Sequence, residues 1–432
     1  MLATESQGLF GERAMQVWSD RCAGLDVHKK SVVACCITTD SSGHESISKQ
    51  TFGTMTVDLL ALADWLAAAG CSHVAMESTG VYWRPVYNIL EARECFDIYV
   101  VNAAHMKAVP GRKTDARDAQ WIAELMRHGL LKKSFVPAPE QRDLRELTRL
   151  RTKFVQERTG MLNRVHKTLE TANIKLASVA SEVHGVSGRA MLAAMIEGQS
   201  DPAALAELAK GRLRSKRSEL TAALSGQVRG HHRIILSELL TQVDTLDESI
   251  ERLTDAIDVA MKEATAPFAQ AVELLTTMPG VQRTAAEKIL GEIGVDMDRF
   301  ASPRQLAALC RLAPGSNQSA GKNRSGKIRQ GSVPPRQAML EIAMSAVKTK
   351  GSYPFAQYQK LAARIGKARA IVAVAHSLLQ ALYWMLKKLV PYRDLGGDYF
   401  TAGREKQIVQ ALTKRLTQLG YYVSLEAVPM AA

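Results

Sequence analysis

Four carboxylates in the first third of the chain stand where a carboxylate needs a reason. Asp26 interrupts the apolar stretch AGLDV, where an isolated charge is costly unless it has a partner. Glu77 closes a second apolar run, HVAME. Asp115 and Asp118, in KTDARDAQ, are three residues apart and share one face of a helix. At that spacing they repel unless a cation bridges them or a basic neighbour neutralises them. A few carboxylate oxygens with room for retained water are what Mg²⁺ takes. Each residue also has an ordinary reading: Asp26 as a turn former, and Glu77 or Asp115 as a charge at a helix N-terminus. Taken together, the four could hold two Mg²⁺ ions and stabilise the attacking and leaving oxygens of phosphodiester chemistry.

The elements that would position them are legible from the hydrophobic pattern. Arg21–Val27 and Ser31–Thr39 are β-rich runs split by the polar turn His28-Lys29-Lys30, and a third strand is expected around Ile47–Phe52. Val57–Ala69 has helical periodicity, His73–Met76 is a short strand ending at Glu77, Val81–Arg93 reads as helix and Asp97–Val101 as strand. Thr114–His128 is an amphipathic helix, with Thr114 a fitting N-cap. This order predicts an α/β domain: one mixed sheet flanked by helices.

Strand signals then fade, and an all-α remainder is expected. Asp143–Ala172 is a long basic helix; with Arg142 just before it, its Arg145, Arg149, Arg151, Arg158, Arg164 and Lys167 would suit structured RNA or duplex DNA. Leu236, Leu239, Val243, Leu246, Ile250, Leu253 and Ile257 alternate steps of three and four, the seam of a coiled coil, and suggest a second copy as partner. Residues 266–390 read as a further helical unit. The tail carries a helix at Glu405–Leu419 and a strand-like YYVSLEAV. Leu274 to Leu290, around Met278-Pro279-Gly280-Val281, has the pattern of a helix-hairpin-helix. The divisions expected are 18–135, 136–265, 266–390 and 391–432.

At 432 residues, two or three domains are expected. An apolar share of 46% excludes a disordered chain. No run of about 18 uninterrupted apolar residues suggests a membrane span, and the first residues do not read as a signal peptide, so a cytoplasmic protein is expected. Six cysteines without metal-ligand spacing read as reduced. The net charge of +13 conceals local extremes. Lys107–Lys167, which includes Arg112 and Lys113, has 15 basic and 7 acidic residues; Lys210–Arg233 has 7 and 1; Pro303–Lys348 has 8 and 1. Ser237–Ala264 runs the other way, with 2 basic and 8 acidic. Separated basic blocks of this kind suggest contact surfaces for nucleic acid.

The runs GLDVHKK, MESTGVYW and VNAAHMKAVPGRKTDARDAQWIAELMRHGLL resemble the RuvC-like DEDD domain of the insertion-sequence 110 family of transposases. MPGVQRTAAEKILGEIG, LAALCRLAPGSNQSAGKNRSGKIRQGS and GKARAIVAVAHSLLQALYWMLK resemble that family's second domain, and RDLGGDYF through LGYYVSLE is similar to the ending in one branch. The resemblance covers about 21–175 and 270–425; residues 178–232 resemble nothing we can place. It implies an RNase H-like first domain, with Asp26, Glu77, Asp115 and Asp118 as a catalytic set holding Mg²⁺. It also implies a nucleophilic serine: Pro314 is followed by Ser319-Ala320-Gly321-Lys322, which puts Ser319 at that position. Ala320 stands where the family commonly has Gly, and Ser316 and Ser325 remain alternatives. Around the serine, Lys322, Arg324, Lys327 and Arg329 suit phosphate contacts. A structured bridge RNA pairing with donor and target double-stranded DNA is implied as the guide, with a dimer or tetramer as the working assembly. The expected activity is RNA-guided strand cleavage and rejoining through a phosphoserine. A Mg²⁺-dependent, Holliday-junction-resolvase-like nuclease using water, or a non-catalytic scaffold, are the alternatives.

Overall fold

The apolar runs at the start of the chain pair into one sheet. In the computed structural model, which describes residues 17–40, 42–78, 80–102, 118–315, 317–319, 322–325, 333–400 and 405–425, the chain divides into two units, residues 1–136 and 137–432. The first contains β1 (Arg21–Val27), β2 (Val32–Thr39), β3 (Glu45–Phe52), α1 (Thr56–Ala68), β4 (His73–Glu77), α2 (Trp83–Glu91), β5 (Asp97–Val101) and α3 (Asp118–Arg127). The strand order is β3-β2-β1-β4-β5. β1, β2 and β3 are antiparallel neighbours, and β1, β4 and β5 run parallel. This mixed five-stranded sheet is consistent with the RNase H-like expectation. The polar ESISKQTF of β3 suits the sheet edge it occupies, where lysine discourages further pairing.

Both faces of the sheet are covered. Leu25, Ala34, Val74, Met76, Ile98 and Val100 pack with Leu59, Leu62 and Leu66 of α1 and with Val86 and Leu90 of α2. On the opposite face Cys22, Cys35, Ile37, Ala75 and Val101 meet Ala119, Ile122, Ala123 and Met126 of α3. Burial there pushes the Cys22 thiol up to about 12 and Cys35 to about 11. The expectation of six reduced cysteines needs correction, because Cys36 of β2 and Cys71, which follows α1, form a disulfide.

The second unit contains α4 (Pro139–Thr171), α5 (Leu176–Val179), α6 (Val186–Ile196), α7 (Pro202–Glu207), a 3₁₀ turn (Gly211–Lys216), α8 (Arg217–Ala223) and α9 (Gly230–Glu263). These are followed by α10 (Phe268–Thr276), α11 (Arg283–Ile293), α12 (Pro303–Leu309), β6 (Asn317–Ser319), β7 (Lys322–Ser325), α13 (Pro334–Ala346), α14 (Tyr353–Ile365), α15 (Lys367–Lys388) and α16 (Glu405–Gln418). The β6–β7 hairpin was not expected in a helical unit, and Tyr421–Leu425 are not a strand. α10 and α11 flank the Met278–Val281 turn as the helix-hairpin-helix pattern expects. Gly280 adopts φ +79°, and a Cβ there would lie 2.3 Å from the Ala346 backbone nitrogen. The turn is therefore seated on α13.

The coiled-coil seam finds its partner inside the chain. Leu144 clusters with Ile257 and Met261 in one core, while Val165 and Leu169 cluster with Leu236 and Leu239 in another, so α4 and α9 run antiparallel. Leu236, Leu239, Val243 and Ile257 are buried, while Leu246, Ile250 and Leu253 are half-buried. Within the chain, α4 supplies the cover for much of this seam. The pair forms a stalk joining a core built from α10 to α15 with a smaller core built from α5 to α8. By length and composition α15 could cross a membrane, but half of its apolar window is buried, with Val374, Leu378, Leu382 and Leu386 in the larger core.

Charge follows the same plan. Arg158 pairs with Asp247 and Arg189 with Asp244, so acids of α9 are neutralised by helices beside it. At the far end of the stalk Arg151, 6% exposed, donates to Glu287, 0% exposed, at 2.7 Å. Arg283 joins the other oxygen of Glu287 at 2.8 Å and also reaches Asp258 at 2.6 Å. Removing one member of such a buried pair leaves an uncompensated charge. Glu287→Ala is expected to destabilise the unit by about 3–5 kcal/mol, measured by denaturant unfolding, and Arg151→Met combined with Glu287→Leu to recover most of that loss.

Candidate active site

Strand register places two of the four carboxylates side by side. In the parallel ladder Cys22 pairs with His73, Ala23 with Val74, Gly24 with Ala75 and Leu25 with Met76; the next residues on the two strands are Asp26 and Glu77. Side chains alternate along a strand, so Asp26 shares a face with Cys22 and Gly24, and Glu77 with His73 and Ala75. That is the face covered by α3. The Cys22 Sγ lies 3.5 Å from the Ala123 carbonyl oxygen, and a Cβ on Gly24 would lie 2.2 Å from the Ala119 carbonyl oxygen. Each step along β1 toward Asp26 is thus a step along α3 toward its first residue, Asp118. The C-terminal ends of β1 and β4 and the N-terminal end of α3 make one rim.

Asp26 is about a quarter exposed, and its Oδ2 lies 3.0 Å from the Nε2 of His28. His28 had been counted only as part of a polar turn; its place two residues beyond Asp26 was the available signal. The donor set, all carboxylate oxygens, is of the type that Mg²⁺ takes. Among the described residues no three His, Cys, Asp or Glu side chains are already gathered closely enough to cage a metal. Asp115, Arg112 and Lys113 lie outside the described residues.

In the second unit, Ser319 is the last residue of β6 and pairs in register with Lys322, the first of β7. The register shifts between Asn317 and Gln318, which pair with Ser325 and Asn323, so Arg324 is the extra residue of a bulge. Bulges re-aim a strand and are common beside active sites. Ser316, Lys327 and Arg329 lie outside the described residues.

The arginines of α4 expected to contact nucleic acid are used internally. Arg149 donates to both oxygens of Glu292, at 2.6 and 2.8 Å, and this pairing raises its pKa above the ordinary arginine value. Arg145 donates to the carbonyls of Gly291 and Glu292 at 3.1 and 2.9 Å, capping the C-terminal end of α11. Arg142 donates to the Pro137 carbonyl at 2.9 Å, and Arg151 is buried against Glu287. Arg145, Arg149 and Arg151 dock α4 on α11. For Arg151, burial removes the guanidinium from any external contact. Glu287 and Glu292 are the partners that the sequence pattern had not revealed.

The chain thus combines a mixed sheet, with Asp26 and Glu77 at the ends of neighbouring strands, and a helical unit that carries the β6–β7 hairpin. Residues 23–174 match the DEDD-type family model described as "Transposase", and residues 272–359 match "Transposase IS116/IS110/IS902 family". The chain is 24% identical over 299 residues to "Transposase for insertion sequence element IS1111A" of Coxiella burnetii, covering 68% of this chain and 72% of that protein. It is also 24% identical over 289 residues to "Probable family 20 transposase" of Pseudomonas aeruginosa, covering 66% and 75%. This chain belongs to the IS110 family of transposases.

The rim depends on the close approach of α3 to Gly24. A methyl at that position meets backbone, which cannot swing aside. Gly24→Ala is expected to cost at least about 1–3 kcal/mol, which thermal unfolding of the variant against the native chain checks.

Proposed function

We propose that this transposase is an RNA-guided DNA recombinase whose two units supply the two halves of its chemistry. The observation that carries the reading is the β1–β4 register, which sets Asp26 beside Glu77 on the face bearing Asp118. The RNase H-like layout and the family membership support extending the set to Asp115. Asp26, Glu77, Asp115 and Asp118 would hold Mg²⁺, which when bound offsets negative charge developing on the phosphate oxygens and polarises the reacting oxygen.

Ser319 is the proposed nucleophile. Its hydroxyl oxygen forms a bond to the scissile phosphorus, the bond from phosphorus to the departing strand's oxygen breaks, and the serine proton leaves to a base. A strand hydroxyl later attacks the phosphoserine, restoring a phosphodiester and returning the proton to Ser319. Serine needs activation by a base or a metal to react at neutral pH. Lys322, Arg324, Lys327 and Arg329 hold the DNA backbone, and the helix-hairpin-helix adds sequence-independent contacts. A structured bridge RNA would supply sequence choice by base pairing, leaving the protein to hold backbone and shape. The proposed assembly is a homo-oligomer, formed through surfaces other than the α4–α9 seam, and acting in the cytoplasm on donor and target DNA.

The test uses full-length protein, its co-purified RNA, Mg²⁺ and labelled DNA. A covalent protein–DNA adduct is expected to accumulate with the native chain and to vanish in Ser319→Ala, while Asp26→Asn reduces cleavage by about a thousandfold or more, the scale typical of losing a principal electrostatic group. Hydrolysed ends without an adduct would favour the water-dependent nuclease. Normal recombination by Ser319→Ala would remove the serine from the mechanism.

A further inference from the structure

Residues 175–229 form the small core at the end of the stalk, outside both stretches that match the family. Within it, the 3₁₀ turn Gly211–Lys216 and the residue before it carry Lys210, Arg212, Arg214 and Lys216, four cations in seven residues, all exposed. Several basic groups of the stalk and small core are engaged: Arg158 with Asp247, Arg189 with Asp244, Lys175 with Glu170 and Arg217 with Glu207. None of the four at the tip has an ion-pair partner among the described residues. The acids nearest in sequence are Glu207, which pairs with Arg217, and Glu219.

The turn is held in place. The Lys210 backbone N–H donates to the Ser187 hydroxyl at 2.9 Å, and Leu213 packs against the small core. Like charges crowded on a fixed turn repel one another, and an external polyanion relieves that repulsion while releasing counterions. Residues 175–229 contain no Phe, Tyr or Trp, so there is no aromatic surface on which unpaired bases could stack. The chemistry fits the continuous phosphate backbone of a duplex. From this we infer that the stalk tip is a sequence-independent docking surface for duplex DNA, gripping the substrate through its phosphate backbone alone. The inference rests on DNA being the substrate, and it does not depend on the serine mechanism or on a guide RNA.

The test is duplex DNA binding by full-length protein across a salt series, comparing the native chain with a variant carrying Lys210→Gln, Arg212→Gln, Arg214→Gln and Lys216→Gln. Because these side chains are exposed and unpaired, thermal unfolding of the variant should match the native chain. The log–log salt slope is expected to become shallower by roughly 3–4 and affinity near 0.1 M salt to fall at least about tenfold. Equal affinity and slope for the two proteins would overturn the inference while leaving the proposed recombinase reading intact. Failure of the native chain to bind duplex DNA would overturn it as well, whereas the recombinase reading stands or falls by the adduct assay. A loss confined to duplex RNA would assign the surface to a different partner and overturn the inference as stated.

Discussion

The parallel register of β1 and β4 decides where Asp26 and Glu77 stand, and the rest of the first unit holds that register in place. β1 is the central strand, paired antiparallel to β2 and parallel to β4, so neither carboxylate can move without disturbing the sheet. The covering helix comes close because Gly24 has no side chain. Apolar packing of Ala119, Ile122, Ala123 and Met126 fixes α3.

Charge in the second unit is arranged on a different principle. The basic face of α4 and the acidic α9 are complementary within one chain, and the α11 acids Glu287 and Glu292 take up Arg149 and Arg151. An excess of lysine and arginine in a sequence therefore divides into two classes. Some cations are already neutralised and hold helices together; others, at Lys210–Lys216, have no ion-pair partner among the described residues. Only the second class adds to the long-range positive field that draws a polyanion.

This division also explains what could be read from the sequence. The strands were legible because short apolar runs bounded by turns leave few alternatives, and Asp26 was legible because a charge inside such a run is anomalous. The antiparallel stalk was not, since a heptad seam reveals that an apolar stripe needs a cover without revealing which helix provides it. The roles of Arg149 and Arg151 depend on acids more than 130 positions away. The β6–β7 hairpin is built from NQS and KNRS, polar residues with no apolar alternation to announce a strand. The Cys36–Cys71 disulfide joins residues 35 positions apart, with no local spacing signal to mark the pair.

The account stands on the claim that the carboxylate rim holds a divalent cation. Mn²⁺ binding to the full-length protein, followed by electron paramagnetic resonance of the free ion, tests it without reference to DNA or catalysis. Native protein is expected to remove Mn²⁺ from the free pool, with Mg²⁺ competing, and Asp26→Asn or Glu77→Gln to lose that uptake while unfolding at the native temperature. Undiminished Mn²⁺ uptake by both variants would contradict it.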